Sequence, residues 1–399
     1  MSDRQYVRPA RSTAYLGAAG AFAVCMAGTT LPTPLYGLYQ EQLGFSELIV
    51  TVVFAVYAFG VIGALLLAGN VSDTVGRRPV LLTGLGLAAL SAACFLLEGG
   101  LPLLYLGRFL SGLSAGLFTG TATAYVMELA PRGKESRAAF AATAANMGGL
   151  GLGPLIAGLL AQYAPRPLVL PFVVHLVLVA AAAAVVFRLP ESVAGRRPVR
   201  SFRPQRPSLP PPVRKVFVPA ALAAFTGFSL LGVFTSVSPA FLAQTLDVHN
   251  RAIVGLIVCA AFLASTAGQL VAGRIGVRRA LPLGCATLIA GLALLGGALL
   301  GETLLLLVLS ALVGGTGQGM SLRGSVGAVA AAAPAEDRAG SLSSLFVVAY
   351  LGISIPVIGV GVLTGPLGLE DAGVAFICCM TLLAALACLH LVRRPAPAA

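Results

Sequence analysis

Two arginines stand where a charge is costly. Arg108 and Arg323 both fall inside long apolar runs. A cation in such a setting handles a proton, holds an anionic group, pairs with carbonyls, or snorkels to the nearest polar layer. Arg323 has no acid near it in sequence, which suits an anionic group or a carbonyl-rich kink. None of the fourteen acids lies deep in an apolar run, because Glu47, Asp73 and Glu128 all sit near run ends. Proton uptake at depth commonly uses a buried carboxylate, so here it would fall to Glu47, Glu128 or His175. The seven cysteines (Cys25, Cys94, Cys259, Cys285, Cys378, Cys379 and Cys388) lie in apolar runs without ligand spacing, and His175 has no partner at such spacing. They read as packing residues, with no metal and no cofactor expected. No nucleophile, base and acid set is present, which argues against an enzyme.

Glycines and prolines mark three further places. The stretch from Gly69 through Asp73 to Gly76, Arg77, Arg78 and Pro79 joins a helix-permitting glycine, an acid, a turn glycine and two cations. Gly69 allows close helix approach and Gly76 a tight turn, while Asp73 suits a helix N-terminus. Beyond Arg108, Gly112, Gly116 and Gly120 recur every fourth residue and make a smooth packing face. Gly149, Gly151, Gly153, Pro154 and Gly158 combine close packing with a bend, since Pro154 removes a backbone hydrogen bond. The Gly-x-Gly spacing there is not a dinucleotide site, for no strand precedes it and no acid follows at the required distance. Polar residues at mid-depth are Tyr57, Asn146, His175, Gln269, Gln318 and Tyr350.

The elements that carry these residues follow from composition. The 399-residue chain is 58% hydrophobic and 10% charged, far from the roughly 25% charged residues of soluble domains. Runs long enough to cross a bilayer are predicted at about 13–38, 47–70, 80–98, 102–129, 137–163 and 168–188. A second set lies at about 215–242, 251–273, 280–300, 303–331, 339–364 and 371–392. The first run follows Arg4, Arg8 and Arg11 like a secretory signal, but it is too long and reads as a retained span. Net charge is +12, yet 22 of the 26 basic residues fall in the termini or in every second loop. That asymmetry places both termini in the cytoplasm and argues against nucleic acid as partner. Residues 189–214 carry six Pro and six Arg after Pro190 and read as an extended cytoplasmic linker. The expected domains are therefore 1–188, the linker 189–214, and 215–399.

The two sets repeat each other. Pro34 and Tyr36 match Pro239 and Phe241, and Gly76 to Arg78 match Gly276 to Arg278. Ala130, Pro131 and Arg137 match Ala333, Pro334 and Arg338, while Pro154 matches Pro356. All keep their order at offsets of 200 to 205 residues. Two six-helix halves of this kind can rock about one central site.

The loop from Gly69 to Pro79 resembles the signature of the major facilitator superfamily, and the resemblance extends over the whole chain. It implies an all-α membrane protein of twelve transmembrane helices in two pseudo-symmetric six-helix bundles. It also implies that Asp73 meets the start of span eleven near residues 339–341 and that Arg77 pairs with Glu128, holding the cytoplasmic side shut. Thr74 departs from the basic residue usual there. Arg108 resembles the superfamily's span-four arginine, often linked to proton handling. The stretch from Gly149 to Gly158 resembles the antiporter Gly-Pro motif, with Ala157 in place of a glycine. Pro190, Glu191 and Ser192 close span six as in many members. Tyr36, Tyr57, Asn146, Gln318, Arg323 and Tyr350 are the candidates for lining a substrate cavity. The expected function is alternating-access, proton-linked efflux of a small apolar or amphipathic compound across a bacterial inner membrane by a functional monomer. Nutrient uptake or facilitated diffusion is the alternative, and a non-transporting scaffold a third reading.

Overall fold

The computed structural model describes residues 13–69, 71–97, 99–193 and 207–393. Arg4, Arg8, Arg11, Asn70 and most of the predicted linker, 194–206, lie outside the described residues. Twelve helices are long and apolar enough to span a bilayer, and no strand forms among the described residues.

In the first half the helices are α1 (Ala14–Thr30), α2 (Tyr36–Leu43), α3 (Glu47–Ala68), α4 (Val71–Val75), α5 (Arg77–Leu96), α6 (Gly100–Glu128), α7 (Glu135–Tyr163) and α8 (Leu170–Arg188). The second half has α9 (Pro211–Ser236), α10 (Ser238–Gln244), α11 (Arg251–Ile275), α12 (Val277–Leu300), α13 (Leu304–Ala332), α14 (Arg338–Leu367) and α15 (Leu369–Arg393). The first span is broken rather than continuous. Pro32 and Pro34 supply no amide hydrogen, so α1 stops at Thr30, a 3-10 turn covers Thr33–Leu35, and α2 resumes at Tyr36. Pro239 marks the same break between α9 and α10. The linker also ends earlier than predicted, because Pro211 and Pro212 occupy the first turn of α9, where a missing N–H costs nothing.

The packing repeats as the sequence does. α3 and α5 flank α6 as α11 and α12 flank α13, and α1 lies on α7 as α9 lies on α14. The halves meet along two equivalent seams, α7 against α11 and α14 against α3. Glycines set these distances. A Cβ on Gly112 would strike the Tyr57 carbonyl, and one on Gly116 would lie 2.6 Å from Ala64 Cβ. Gly315 and Gly319 face Ala261 and Ser265 in the same manner.

Candidate functional site

Between the halves lies a cavity of about 640 Å³. Its floor is aromatic. Tyr57 and Tyr350 meet edge-on at 6.4 Å, Phe228 and Tyr350 at 5.5 Å, and Phe54 adjoins them. From there the cavity runs past Asn146, Gln269, Gln318 and Arg323 to Thr123, Met127 and Ala139. The last three are exposed and sit where α6 ends and α7 begins. The cavity therefore opens at the end of the molecule that carries α4 and the Gly76–Arg78 turn, here called the motif end. Among the described residues that line it there is no Asp or Glu.

Arg108 is walled in at the floor, 1% exposed. Its guanidinium donates to the carbonyls of Thr29 and, at 3.3 Å, Phe54. It stacks 4.9 Å from the Tyr57 ring centroid and 5.4 Å from that of Phe54. It does not snorkel. Carbonyl dipoles and ring faces replace the carboxylate that a buried cation usually needs, and its Nε is left without a partner. Arg323 does not turn to the lipid either, because it lines the cavity and lies over Gly273 of α11.

At the far end the halves close on each other. The residues of the Gly-Pro stretch divide their contacts between two neighbours. Gly149 and Gly153 admit α1 of their own half, against Ala23 and Ala27. Gly151, Pro154 and Gly158 admit α11 of the other half, against Cys259, Gly255 and Arg251. Pro154 orphans the carbonyl of Leu150, and Thr30 Oγ1 donates to that oxygen at 2.7 Å. The second half repeats the device. Pro356 orphans Gly352, and Ser229 Oγ lies 2.8 Å from that carbonyl. Three hydrogen bonds fasten the closed end. Arg251 N donates to Gln162 Oε1 at 3.0 Å, Gln244 Nε2 to Glu47 Oε1 at 2.9 Å, and Asn250 Nδ2 to Tyr163 OH at 3.3 Å. A separate vestibule of about 400 Å³ lies on this side and includes Tyr36. Tyr36 is thus not a wall of the main cavity, because the break after Thr30 carries α2 beyond the seal.

At the motif end the charges form one cluster within the first half. Arg77 pairs with Glu128 at 2.8 Å and with Asp73 at 2.6 Å. Asp73 does not bond to residues 339–341; its side chain is 57% exposed and its ion pair is with Arg77. Glu191 accepts from Arg77 N at 2.8 Å and Arg78 N at 3.1 Å, capping α5. Ser192 Oγ donates to Glu128 at 2.5 Å, and Tyr125 OH to Pro190 O at 2.6 Å. Gly76 has φ +109°, and a Cβ there would also lie 2.6 Å from Glu191 Oε2. The positive φ favours glycine at that turn, and a side chain there would also displace the Glu191 carboxylate from its cap.

The Major Facilitator Superfamily profile matches residues 18–249, more than half of the chain. The chain belongs to that superfamily. A tetracycline resistance protein of class D from Salmonella ordonez is 37% identical over 137 residues, 34% of each chain. The multidrug resistance protein MdtL of Escherichia coli is 39% identical over 75 residues, 19% of each chain. The matches thus span about a third and about a fifth of those relatives. Among solved structures, a bacterial homologue of the human lysosomal transporter Spinster, inward-facing and unoccupied, superposes with TM-score 0.74 at 14% identity. It covers 98% of this chain and 100% of that one. A POT family transporter in complex with 5-aminolevulinic acid gives 0.75 at 14% identity, covering 98% and 97%. These two likenesses establish the fold.

In this superfamily member Tyr57, Asn146, Gln318, Arg323 and Tyr350 come together in one cavity with Arg108. Gly69, Asp73, Gly76, Arg77, Arg78 and Glu128 belong to the motif end, and the Gly149–Gly158 stretch to the seal. His175 lies apart. It lines a small pocket with Cys25, Ser111 and Ser114, and its Nε2 has no partner among the described residues. Sequence reasoning missed Thr30 and Ser229 as partners of the proline kinks and Glu191 as the cap of α5. A hydroxyl one helix away leaves no local signal, although the matched prolines would have justified looking for a donor in both halves.

Proposed function

We propose that the protein is a secondary transporter that works by alternating access and exports a small apolar or amphipathic compound. The observation that carries this reading is the central cavity, open at the motif end and sealed at the other by two equivalent seams between repeated halves. Rocking about such a pair exchanges open and closed ends around a fixed site. The basic residues of the termini and alternate loops support a cytoplasmic motif end. On that basis the cavity faces the cytoplasm, the loading side for an exporter. The partial relatives, a tetracycline resistance protein and a multidrug resistance protein, support a drug or secondary metabolite as cargo. The cargo would bind to the functional monomer, since the whole cavity is built by one chain.

Inward movement of protons is the proposed driving reaction, with Glu47, Glu128 and His175 as the groups to replace. Facilitated diffusion is favoured by one observation, the absence of any carboxylate from the cavity. One experiment separates the two. Purified protein is placed in proteoliposomes with an imposed pH gradient and an internal pH dye, and tetracycline and other labelled amphipathic compounds are added. Compound-dependent proton movement supports coupled export. Compound flux without proton movement shows diffusion, and flux no greater than in protein-free vesicles overturns the transport reading.

A further inference from the structure

The buried side-chain polar atoms that line the cavity without a partner are all donors. Ser265, Gln269 and Gly273 follow at intervals of four residues along one face of α11, about one helical turn apart. Each level carries a donor. Ser265 Oγ donates to Gln318 Oε1 at 2.5 Å, which orients that amide and leaves its Nε2 without an acceptor, although Gln318 is only 1% exposed. One turn on, Gln269 Nε2 has no acceptor either. A further turn on, the Arg323 guanidinium lies over Gly273, where a Cβ would come within 2.8 Å of Cζ. Arg323 is exposed to the open cavity and makes no hydrogen bond or ion pair with any described residue. Across the cavity Arg108 Nε is unpaired as well.

Buried donors without acceptors carry a free-energy penalty that a ligand with acceptors relieves. Two guanidinium groups beside an apolar cavity with no carboxylate also set up a positive potential. A cationic ligand would meet repulsion there, and a neutral one would displace water from Arg323 without supplying a counter-charge. We propose that the cavity takes an amphipathic organic anion, a carboxylate or sulfonate on an aromatic or alicyclic body. The anionic head accepts from Arg323 and from the amides of Gln269 and Gln318. The fork of Arg323 matches two oxygens of one head group, and the body rests on the floor of Phe54, Tyr57, Phe228 and Tyr350. This inference rests on the transport reading and names its substrate class.

The test uses three probes with one bicyclic body and different heads: 1-naphthoate, 1-naphthamide and 1-naphthylmethylammonium. Binding to the purified full chain is measured by titration calorimetry. Naphthoate is expected to bind about tenfold tighter than the amide, as a charge-assisted pair with arginine allows, and the ammonium weakest of the three. Arg323→Gln abolishes the preference, while Arg323→Lys keeps part of it and shows that a folded cavity survives replacement. Naphthoate bound no better than the amide, or bound with equal preference by Arg323→Gln, overturns the anion site. Flux of the same probes in proteoliposomes is read separately. Selective naphthoate binding without flux refutes transport and leaves the anion site standing. Flux of all three without preference does the reverse.

Discussion

Asp73 and Glu191 both sit at the turn into α5, but the structure assigns them different duties. Glu191 satisfies two backbone donors at the N-terminus of α5. Glu191→Ala is expected to cost about 1 kcal/mol, the usual worth of a helix cap, seen as a lower unfolding midpoint in detergent. Asp73 is 57% exposed and its pair with Arg77 is a surface contact, worth about 0–1 kcal/mol. Asp73→Asn should therefore leave the midpoint and membrane insertion unchanged. If the charge helps to hold the motif end shut in the alternate state, the same variant lowers transport. Normal flux would remove Asp73 from the gate. The motif spacing was readable from the sequence, but the bonding was not. The resemblance placed Asp73 against span eleven, whereas in this open state its counter-ion is Arg77, just beyond the Gly76 turn. Arg108 teaches the same point, because its acceptors are the carbonyls of Thr29 and Phe54, and backbone acceptors have no residue type to read.

Helices were the most legible level, since twenty apolar residues in a row leave few alternatives in a bilayer. What an average over the whole span could not show was where it breaks, because Leu31 and Leu35 keep the run apolar while Pro32 and Pro34 end the helix inside it. The structural cost of proline inside α7 and α14 is met by hydroxyls on α1 and α9. Thr30→Val would leave the Leu150 carbonyl unpaired, at an expected cost of about 1–2 kcal/mol. A double-mutant cycle tests the assignment. With Pro154→Ala the helix regains its own N–H donor to Leu150, so Thr30→Val should cost much less in that background. An equal loss of stability in both backgrounds would show that Thr30 stabilises α1 by packing alone. Ser229→Ala and Pro356→Ala form the equivalent cycle in the second half.

Over the whole molecule, the pseudo-symmetry evident in four matched landmarks means that the two ends compete for closure. The state described here is held by seams at the far end, where Gln162 accepts from Arg251 N and Gln244 donates to Glu47. Each bond contributes about 0.5–1.5 kcal/mol, and neither forms part of the cavity. Removing both with Gln162→Ala and Gln244→Ala weakens only the closed end, so the population should move by roughly tenfold towards the opposite state. Thr123 reports this shift, since it is exposed in the cavity mouth and becomes covered when the motif end closes. In a background without the native cysteines, Thr123→Cys is expected to react readily with a membrane-impermeant maleimide added from the motif side. The double replacement should slow that reaction severalfold. Unchanged labelling would mean that the seam glycines, which let α7 and α11 approach around Gly158 and Arg251, hold the far end shut without these hydrogen bonds. Since backbone packing along a whole helix is far harder to break than two side-chain bonds, exchange between the two states would then depend on the bends at Pro154 and Pro356.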